Sequence, residues 1–258
     1  MEISKIGWTD YSGGIWNVVT GCTPAGPGCA NCYARRIYER FGRDFSQVTW
    51  HPKTFAAWHT ARLPEHSPKR GAPHRPMVFP VDTGDWCHED ILDRYRVAML
   101  LRATHCPHAV FQFLTKRPME MLRVVESLWN HLGASRWWPI PNVWLGVSVS
   151  TQAEAYERIP PLLATPAAIR FVSVEPMLED ISLWGWLPEI DWVICGAESG
   201  PSRRPFDKTW AWDLWQECAN EGVAFFGKQD SGLYPGVPLL LCDNQEIKHW
   251  PDEMDPRS

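Results

Sequence analysis

The sequence predicts an α/β protein, a partial or complete (β/α) barrel in which parallel strands alternate with helices. Short apolar segments rich in β-branched residues alternate with longer amphipathic segments from the first residues to about residue 230. Several short segments are continuous hydrophobic runs, which is typical of parallel strands covered on both faces. The longer segments repeat their apolar residues with the 3.6-residue period of a helix. Five or six such βα units in series favour a barrel, and a doubly wound open sheet is the alternative.

These patterns predict the individual elements. The strands are expected at residues 15–20, 77–82, 109–115, 143–149, 169–175, 192–198 and 224–229. The helices are expected at residues 30–42, 88–104, 118–132, 151–159 and 207–221. The apolar stripe of the first helix comprises Tyr33, Ile37 and Phe41. Asp207 is a candidate N-cap, Gly222 a candidate stop signal, and Pro160-Pro161 should end the fourth helix.

Two segments fall outside the βα alternation. Residues 61–76 are rich in proline and basic residues and have no periodicity, so they are expected to form an irregular arm. Residues from about 237 to 250 are predicted to form a C-terminal β-hairpin around Asp243-Asn244. Because no composition shift marks a boundary, residues 1–258 are predicted to form a single barrel-like domain.

Composition narrows the class of protein. The chain has 258 residues, 45% of them hydrophobic, with 25 basic and 30 acidic residues and a net charge of -5. This charge argues against a broad basic face for nucleic acid. Glu2 and Asp10 are atypical of a secretory signal, and no apolar run approaches the ~20 residues that cross a bilayer. A cytoplasmic protein without a membrane partner is expected, in which the eight cysteines are thiols or metal ligands.

Cys22, Cys29 and Cys32 form the strongest motif, C-x6-C-x2-C, directly after the first predicted strand. A C-x2-C at a helix start brings two thiols together, and the glycine- and proline-rich loop at 21–33 can fold the third onto the same metal. Three thiolates from one loop suit an iron–sulfur cluster that keeps one iron without a protein ligand. Structural zinc is the alternative, with Cys87-His88 as the source of a fourth ligand.

The motifs IWNVVTGCTPAGPGCANCYARR, LTKRP, VSVEPML, CGAESGPSRRP and FFGKQ occur in this order between about residues 5 and 230. In these motifs and their order the chain resembles the phage-associated three-cysteine-motif family. This family is a domain of unknown function that is regarded as a distant branch of the radical S-adenosylmethionine (SAM) enzymes. The resemblance implies a partial barrel, a 4Fe-4S cluster on the three cysteines and SAM at the open iron. Tyr33 matches the aromatic residue common after the last cysteine. The spacing departs from the C-x3-C-x2-C of most radical SAM enzymes.

Polar residues follow the predicted strands where each strand ends. In a parallel barrel these ends meet at one mouth, which is where ligands bind. The candidate cofactor-binding residues are Tyr33, Asp82, Thr83, Asp85, Ser148, Arg203 and Lys228. The candidate catalytic residues are Lys116, Glu175 and Glu198. The two glutamates end buried-looking runs, so they should be paired with nearby Lys or Arg side chains or with a ligand.

The predicted function is therefore that of a cytoplasmic radical SAM-type enzyme. It would need SAM and an electron donor, and it would act on an unidentified substrate, for which a nucleotide or nucleic acid is a candidate. The alternative is a metal-stabilised phage-type nucleic-acid-binding protein without SAM chemistry. Salt-dependent DNA binding would favour that alternative.

Overall fold

The computed structural model describes residues 2–69, 75–132, 139–241 and 244–251. Its centre is a parallel sheet of six strands curled into a half-barrel, in which the strands lie side by side in chain order. Two short strands, β1 (Val19–Thr20) and β2 (Thr49–Trp50), pair antiparallel outside this sheet. The six sheet strands are β3 (Met77–Val78), β4 (Val110–Thr115), β5 (Val143–Val149), β6 (Ile169–Val174), β7 (Trp192–Gly196) and β8 (Ala224–Gln229). The prediction of a partial barrel is thus confirmed.

Six α-helices connect or flank these strands in the described ranges. They are α1 (Tyr33–Arg40), α2 (Pro52–Ala57), α3 (Asp93–Ala103), α4 (Pro118–Leu132), α5 (Gln152–Ala164) and α6 (Lys208–Glu221). The Asp207 carboxylate caps α6 by accepting from the Thr209 amide at 2.9 Å. Gly222 ends this helix with a φ of 71°, a left-handed conformation that glycine adopts without strain. No helix in these ranges has the length and apolar character needed to span a membrane.

Three expectations were wrong in detail. The segment predicted as the first strand, residues 15–20, contributes only β1, and residues Gly14–Trp16 form a 3-10 turn that buries Trp16. Helix α5 continues through Pro160 and Pro161 to Ala164. The two prolines remove the helical donors of the Tyr156 and Glu157 carbonyls, and both of these residues lie on the exposed side of the helix, where water can replace a lost donor. Strand β3 stops at Val78, since Phe79 donates its amide to Tyr11 at 2.8 Å instead of extending the ladder.

The sheet is covered on both faces, as its continuous hydrophobic runs predict. On the outer face, buried residues of α3 to α6 pack with the outward side chains of the strands into the larger core. The inner face carries a smaller, aromatic-rich cluster closed by Trp8. The buried members of this inner cluster are Trp8, Met77, Phe79, Val110, Trp144, Ile169, Phe171, Trp192, Ile194 and Phe226.

Polarity changes along the inner face from one end of the strands to the other. On β5 the inward positions run from Trp144 at the start of the strand to Ser148 near its end. On β6 they run from Ile169 and Phe171 to Ser173. An apolar floor therefore lies at the amino-terminal end of the half-barrel, and a polar layer lies at the carboxyl edge.

The segments outside the alternation are partly described. Leu240 and Glu246 form an antiparallel bridge, as the predicted hairpin requires, although Asp243 lies outside the described residues. A second bridge, between Phe226 and Lys248, places this hairpin along β8. Of the predicted arm at 61–76, residues 70–74 lie outside the described ranges, and the remaining residues form neither helix nor strand.

Helix α1 differs from a core helix. Its predicted apolar stripe exists, but Tyr33, Ile37 and Phe41 are 46%, 45% and 68% exposed. Ala34 is the buried residue of this helix. Ile37 and Phe41 therefore turn toward solvent rather than toward the sheet.

Candidate functional site

The three-cysteine loop lies across the carboxyl edge of the half-barrel. Its start is joined to the segment that follows β3, where the Gly21 amide donates to the Thr83 carbonyl at 3.1 Å. Its middle is held by Arg158 of α5, which donates to the Ala25 carbonyl at 2.5 Å. Arg204 donates to the Pro27 carbonyl at 3.0 Å. Three separate connections of the barrel therefore fix this loop.

Cys22, Cys29 and Cys32 are free thiols, each partly exposed. The Ala25 amide donates to Cys29 Sγ at 3.4 Å, and a guanidinium nitrogen of Arg117 lies 3.6 Å from Cys22 Sγ. Burial raises the pKa of the Cys22 thiol to about 11, and the Asp85 charge adds to the rise while Arg117 opposes it. Amide and guanidinium donors directed at sulfur are the contacts that thiolate ligands of clusters receive.

The chemistry of the donor set fits a cluster, because three soft thiol ligands lie on one short loop. Among the described residues, no three or more His, Cys, Asp or Glu side chains are placed so that they could hold a metal ion together. The proposed extra zinc ligand His88 uses Nε2 toward the Thr23 hydroxyl at 2.8 Å and Nδ1 toward the Asp90 amide at 3.2 Å. Both of its nitrogens are thus occupied within the protein.

Asp82, Thr83 and Tyr33 meet in the segment that follows β3. The Tyr33 hydroxyl donates to the Asp82 carbonyl, and Asn17 Oδ1 accepts from the amides of Asp82 at 2.8 Å and Thr83 at 3.4 Å. Asp82 Oδ1 is buried and has no hydrogen-bond partner among the described residues. Burial raises the pKa of the Asp82 carboxyl, and side-chain hydrogen bonds with Asn17 and Ser12 oppose the rise. An unpartnered carboxylate oxygen beside the cysteine loop is suited to a cationic ligand group.

Lys116, Ser148, Glu175 and Lys228 line the polar layer along β4 to β8. Lys116 Nζ donates to the Ser148 hydroxyl, which donates in turn to the Glu175 carbonyl at 3.1 Å. The Glu175 carboxylate pairs with Lys228 Nζ at 3.1 Å. Burial lowers the pKa of Lys116. Four of the predicted site residues are therefore in one connected set.

Glu198 is engaged differently. Its carboxylate accepts from the Arg204 backbone amide at 2.8 Å, from the Arg204 guanidinium, and from Asn31 Nδ2 at 3.0 Å. Burial by itself raises the pKa of Glu198, but the Arg204 and Asn31 hydrogen bonds and the Arg204 charge outweigh it and lower the pKa below its ordinary value. Since Asn31 lies between Cys29 and Cys32, Glu198 holds the cysteine loop.

Two predicted site residues have local contacts. Arg203 donates to the Gly200 carbonyl at 3.2 Å, within its own turn. Asp85 accepts from the Thr115 hydroxyl at 2.6 Å and the Lys116 amide at 3.1 Å, and it pairs with Arg117 at 3.1 Å. Asp85 is therefore bonded to the protein rather than directed at the mouth.

Sequence reasoning missed the residues that anchor the loop. Glu154 and Arg158 lie one turn apart on α5, a spacing usual for a pair on the helix surface. Here their side chains are 6% and 1% exposed, and their charged atoms lie 2.7 Å apart beneath the loop. Asn31, inside the cysteine motif, was also missed. The Thr151 cap followed by Glu154 was an available signal, because it resembles a capping box.

The fold and site define an α/β half-barrel protein that carries a three-cysteine loop over the carboxyl edge of its sheet. The chain belongs to the DUF5131 family, described as a protein of unknown function, whose sequence profile matches residues 3–237. No curated protein and no solved structure matches the chain.

Proposed function

We propose that the protein is a radical SAM-type enzyme with an iron–sulfur cluster on Cys22, Cys29 and Cys32. The observation that carries the proposal is the position of three free thiols on a loop fixed over the polar edge of a half-barrel. Bound there, a cluster with one open iron would supply the electron that cleaves the sulfonium of SAM into methionine and a 5′-deoxyadenosyl radical. The radical would then abstract a hydrogen atom from the substrate, for which a nucleotide or nucleic acid is the candidate.

The chain's own residues would bind and orient SAM. The buried, unpartnered Oδ1 of Asp82 is suited to the positive amino or sulfonium group. Lys228 and Lys116 are the cations of the polar layer, and they are suited to the carboxylate of the methionine part. Glu175 holds Lys228 in place at 3.1 Å and presents a second anionic group to the same layer. The apolar floor below excludes water from one side of the site.

The test is the metal content of protein purified without oxygen. We expect brown protein with about four irons per chain, and loss of most of that iron when Cys22, Cys29 or Cys32 is replaced by Ala. Cys218→Ala is the matched control, because Cys218 is buried in the outer core on α6. Colourless protein with one tightly bound zinc would contradict the cluster.

The reduced protein should then convert SAM to 5′-deoxyadenosine and methionine, slowly even without substrate. If an intact, reducible cluster neither binds nor cleaves SAM, the proposed radical SAM activity is contradicted. Salt-dependent DNA binding by such a preparation would support the alternative, a metal-stabilised nucleic-acid-binding protein.

Glu198 and Glu175 should respond differently to replacement by Gln. Glu198→Gln should lower the free energy of unfolding by about 1–3 kcal/mol, since it weakens charged hydrogen bonds to Arg204 and Asn31. Because the folded-state pKa of Glu198 is lowered, its contribution is lost as pH falls from the ordinary value of 4.5 through the folded value. The variant should lack this part of the acid dependence. Urea unfolding at neutral and acidic pH measures both effects.

Glu175→Gln should lower the free energy of unfolding by less than about 1 kcal/mol, because its partner Lys228 is 25% exposed and can be hydrated. It should weaken SAM binding by about tenfold, since it removes an anion of the polar layer. Titration calorimetry with SAM on the iron-loaded protein measures this effect. Unaltered SAM affinity together with a large loss of stability would show that Glu175 belongs to the scaffold.

A further inference from the structure

Arg117 lies between β4 and α4, directly after Lys116, and its side chain reaches the cysteine loop. Its side chain is 12% exposed. One terminal nitrogen lies 3.6 Å from Cys22 Sγ and 3.1 Å from Asp85 Oδ2. The other donates to the Thr23 carbonyl at 3.1 Å and to the Thr23 hydroxyl at 2.9 Å. Nε donates to Glu89 at 2.8 Å. The five N–H donors of a guanidinium thus have five acceptors.

The groups around Arg117 are themselves fixed, so the guanidinium has one place to lie. Asp85 accepts from the Thr115 hydroxyl and from the Lys116 and Cys87 amides, which leaves its orientation determined by β4 and by its own turn. Buried His88 holds the Thr23 hydroxyl from the other side at 2.8 Å. A lysine could supply the charge at this position, but it could not contact Cys22, Thr23 and Asp85 together.

We propose that Arg117 positions Cys22 and, through its charge and its N–H to Sγ, raises the reduction potential of the cluster bound there. The first half concerns the protein alone, and the second rests on the proposed function. Reduction adds a negative charge to the cluster. A cation that donates to a ligand sulfur stabilises that charge, and hydrogen bonds to sulfur are a principal control of cluster potential.

The test compares Arg117→Gln and Arg117→Lys with the wild-type protein, and with Arg123→Gln as the matched control. Arg123 is on α4 and is 50% exposed, and it pairs with Asp93 and Glu120 away from the loop. The first measurement is hydrogen exchange of the peptide covering residues 21–30, in protein as purified. We expect exchange roughly tenfold faster in both Arg117 variants and unchanged in the control.

The second measurement is a redox titration followed by electron paramagnetic resonance. We expect a lower midpoint potential in Arg117→Gln, partial recovery in Arg117→Lys because the charge returns, and no shift in Arg123→Gln. Unchanged exchange in Arg117→Gln would overturn the positioning role. Faster exchange with an unchanged potential would overturn the redox role. If the wild-type protein holds no cluster, faster exchange in the Arg117 variants would still support the positioning role, and the missing cluster would contradict the proposed function.

Discussion

Replacing Arg158 by Met is expected to lower the free energy of unfolding by about 3–5 kcal/mol, the cost of leaving one partner of a buried ion pair alone. Arg158 is 1% exposed and lies 2.7 Å from Glu154. It also donates to the Ser148 carbonyl at 2.8 Å and to the Ala25 carbonyl at 2.5 Å. The substitution therefore removes the partner of a carboxylate and the donors of two carbonyls, one in the cysteine loop. Urea unfolding measures the loss.

The matched control is Arg123→Met, which should cost under about 1 kcal/mol because the Arg123 pair is exposed. Adding Glu154→Gln to Arg158→Met should recover part of the stability, since no unpaired buried charge then remains. A cost for Arg158→Met as small as that of the control would show that the pair does not hold α5 and the loop together.

Gly26→Ala is expected to remove most of the iron that the wild-type protein retains. A Cβ on Gly26 would overlap Glu154 Oε1 and lie 2.9 Å from Arg158. These side chains cannot easily retreat, because Glu154 accepts from the Ser150 amide at 2.6 Å and Arg158 is bonded to Ser148. The loop must therefore lift away from the sheet and carry Cys29 with it. Stability should also fall by about 1–3 kcal/mol, as for an overpacked site.

Gly185→Ala is the control for the backbone effect of adding a methyl group, because no atom lies within 4 Å of its added Cβ. Iron content and melting temperature of the two variants should be compared side by side. Full iron retention in Gly26→Ala would contradict the close approach of loop and helix, and with it the claim that α5 sets the position of Cys29.

The main features of the fold could be predicted from sequence because hydrophobic periodicity records which faces are buried. The apolar run at 143–149 is buried along its whole length in β5. The short strands show where that signal fails. Residues 15–20 look like a strand because Trp16, Val18 and Val19 enter the core, but Trp16 does so from a 3-10 turn, Val18 from a bend and Val19 from a two-residue strand. Burial alone does not specify which backbone geometry achieves it.

The candidate site was predictable only in part, for a similar reason. The carboxyl ends of parallel strands must share one edge, so the sequence indicates that Lys116, Ser148 and Glu175 are neighbours. It does not show which charges serve a ligand and which fix the scaffold. Glu198 was a candidate catalytic residue, expected to pair with a Lys or Arg side chain or with a ligand, and in the structure both its oxygens accept from Arg204. That assignment depends on side-chain geometry across 167 residues of separation between Asn31 and Glu198.

The aromatic floor of the half-barrel determines the depth of the site. Trp8 fills the inner face, with its ring 4.8 Å from that of Phe79 and 6.1 Å from that of Trp192. From Trp144 to Ser148 is four residues of strand, a rise of about 13 Å. Packed rings therefore close the apolar end of the inner face, so a ligand held at the carboxyl edge would lie above a dry floor. We expect a larger substrate to place one end over this floor and to cover the polar layer with the remainder, so that the substrate itself completes the exclusion of water.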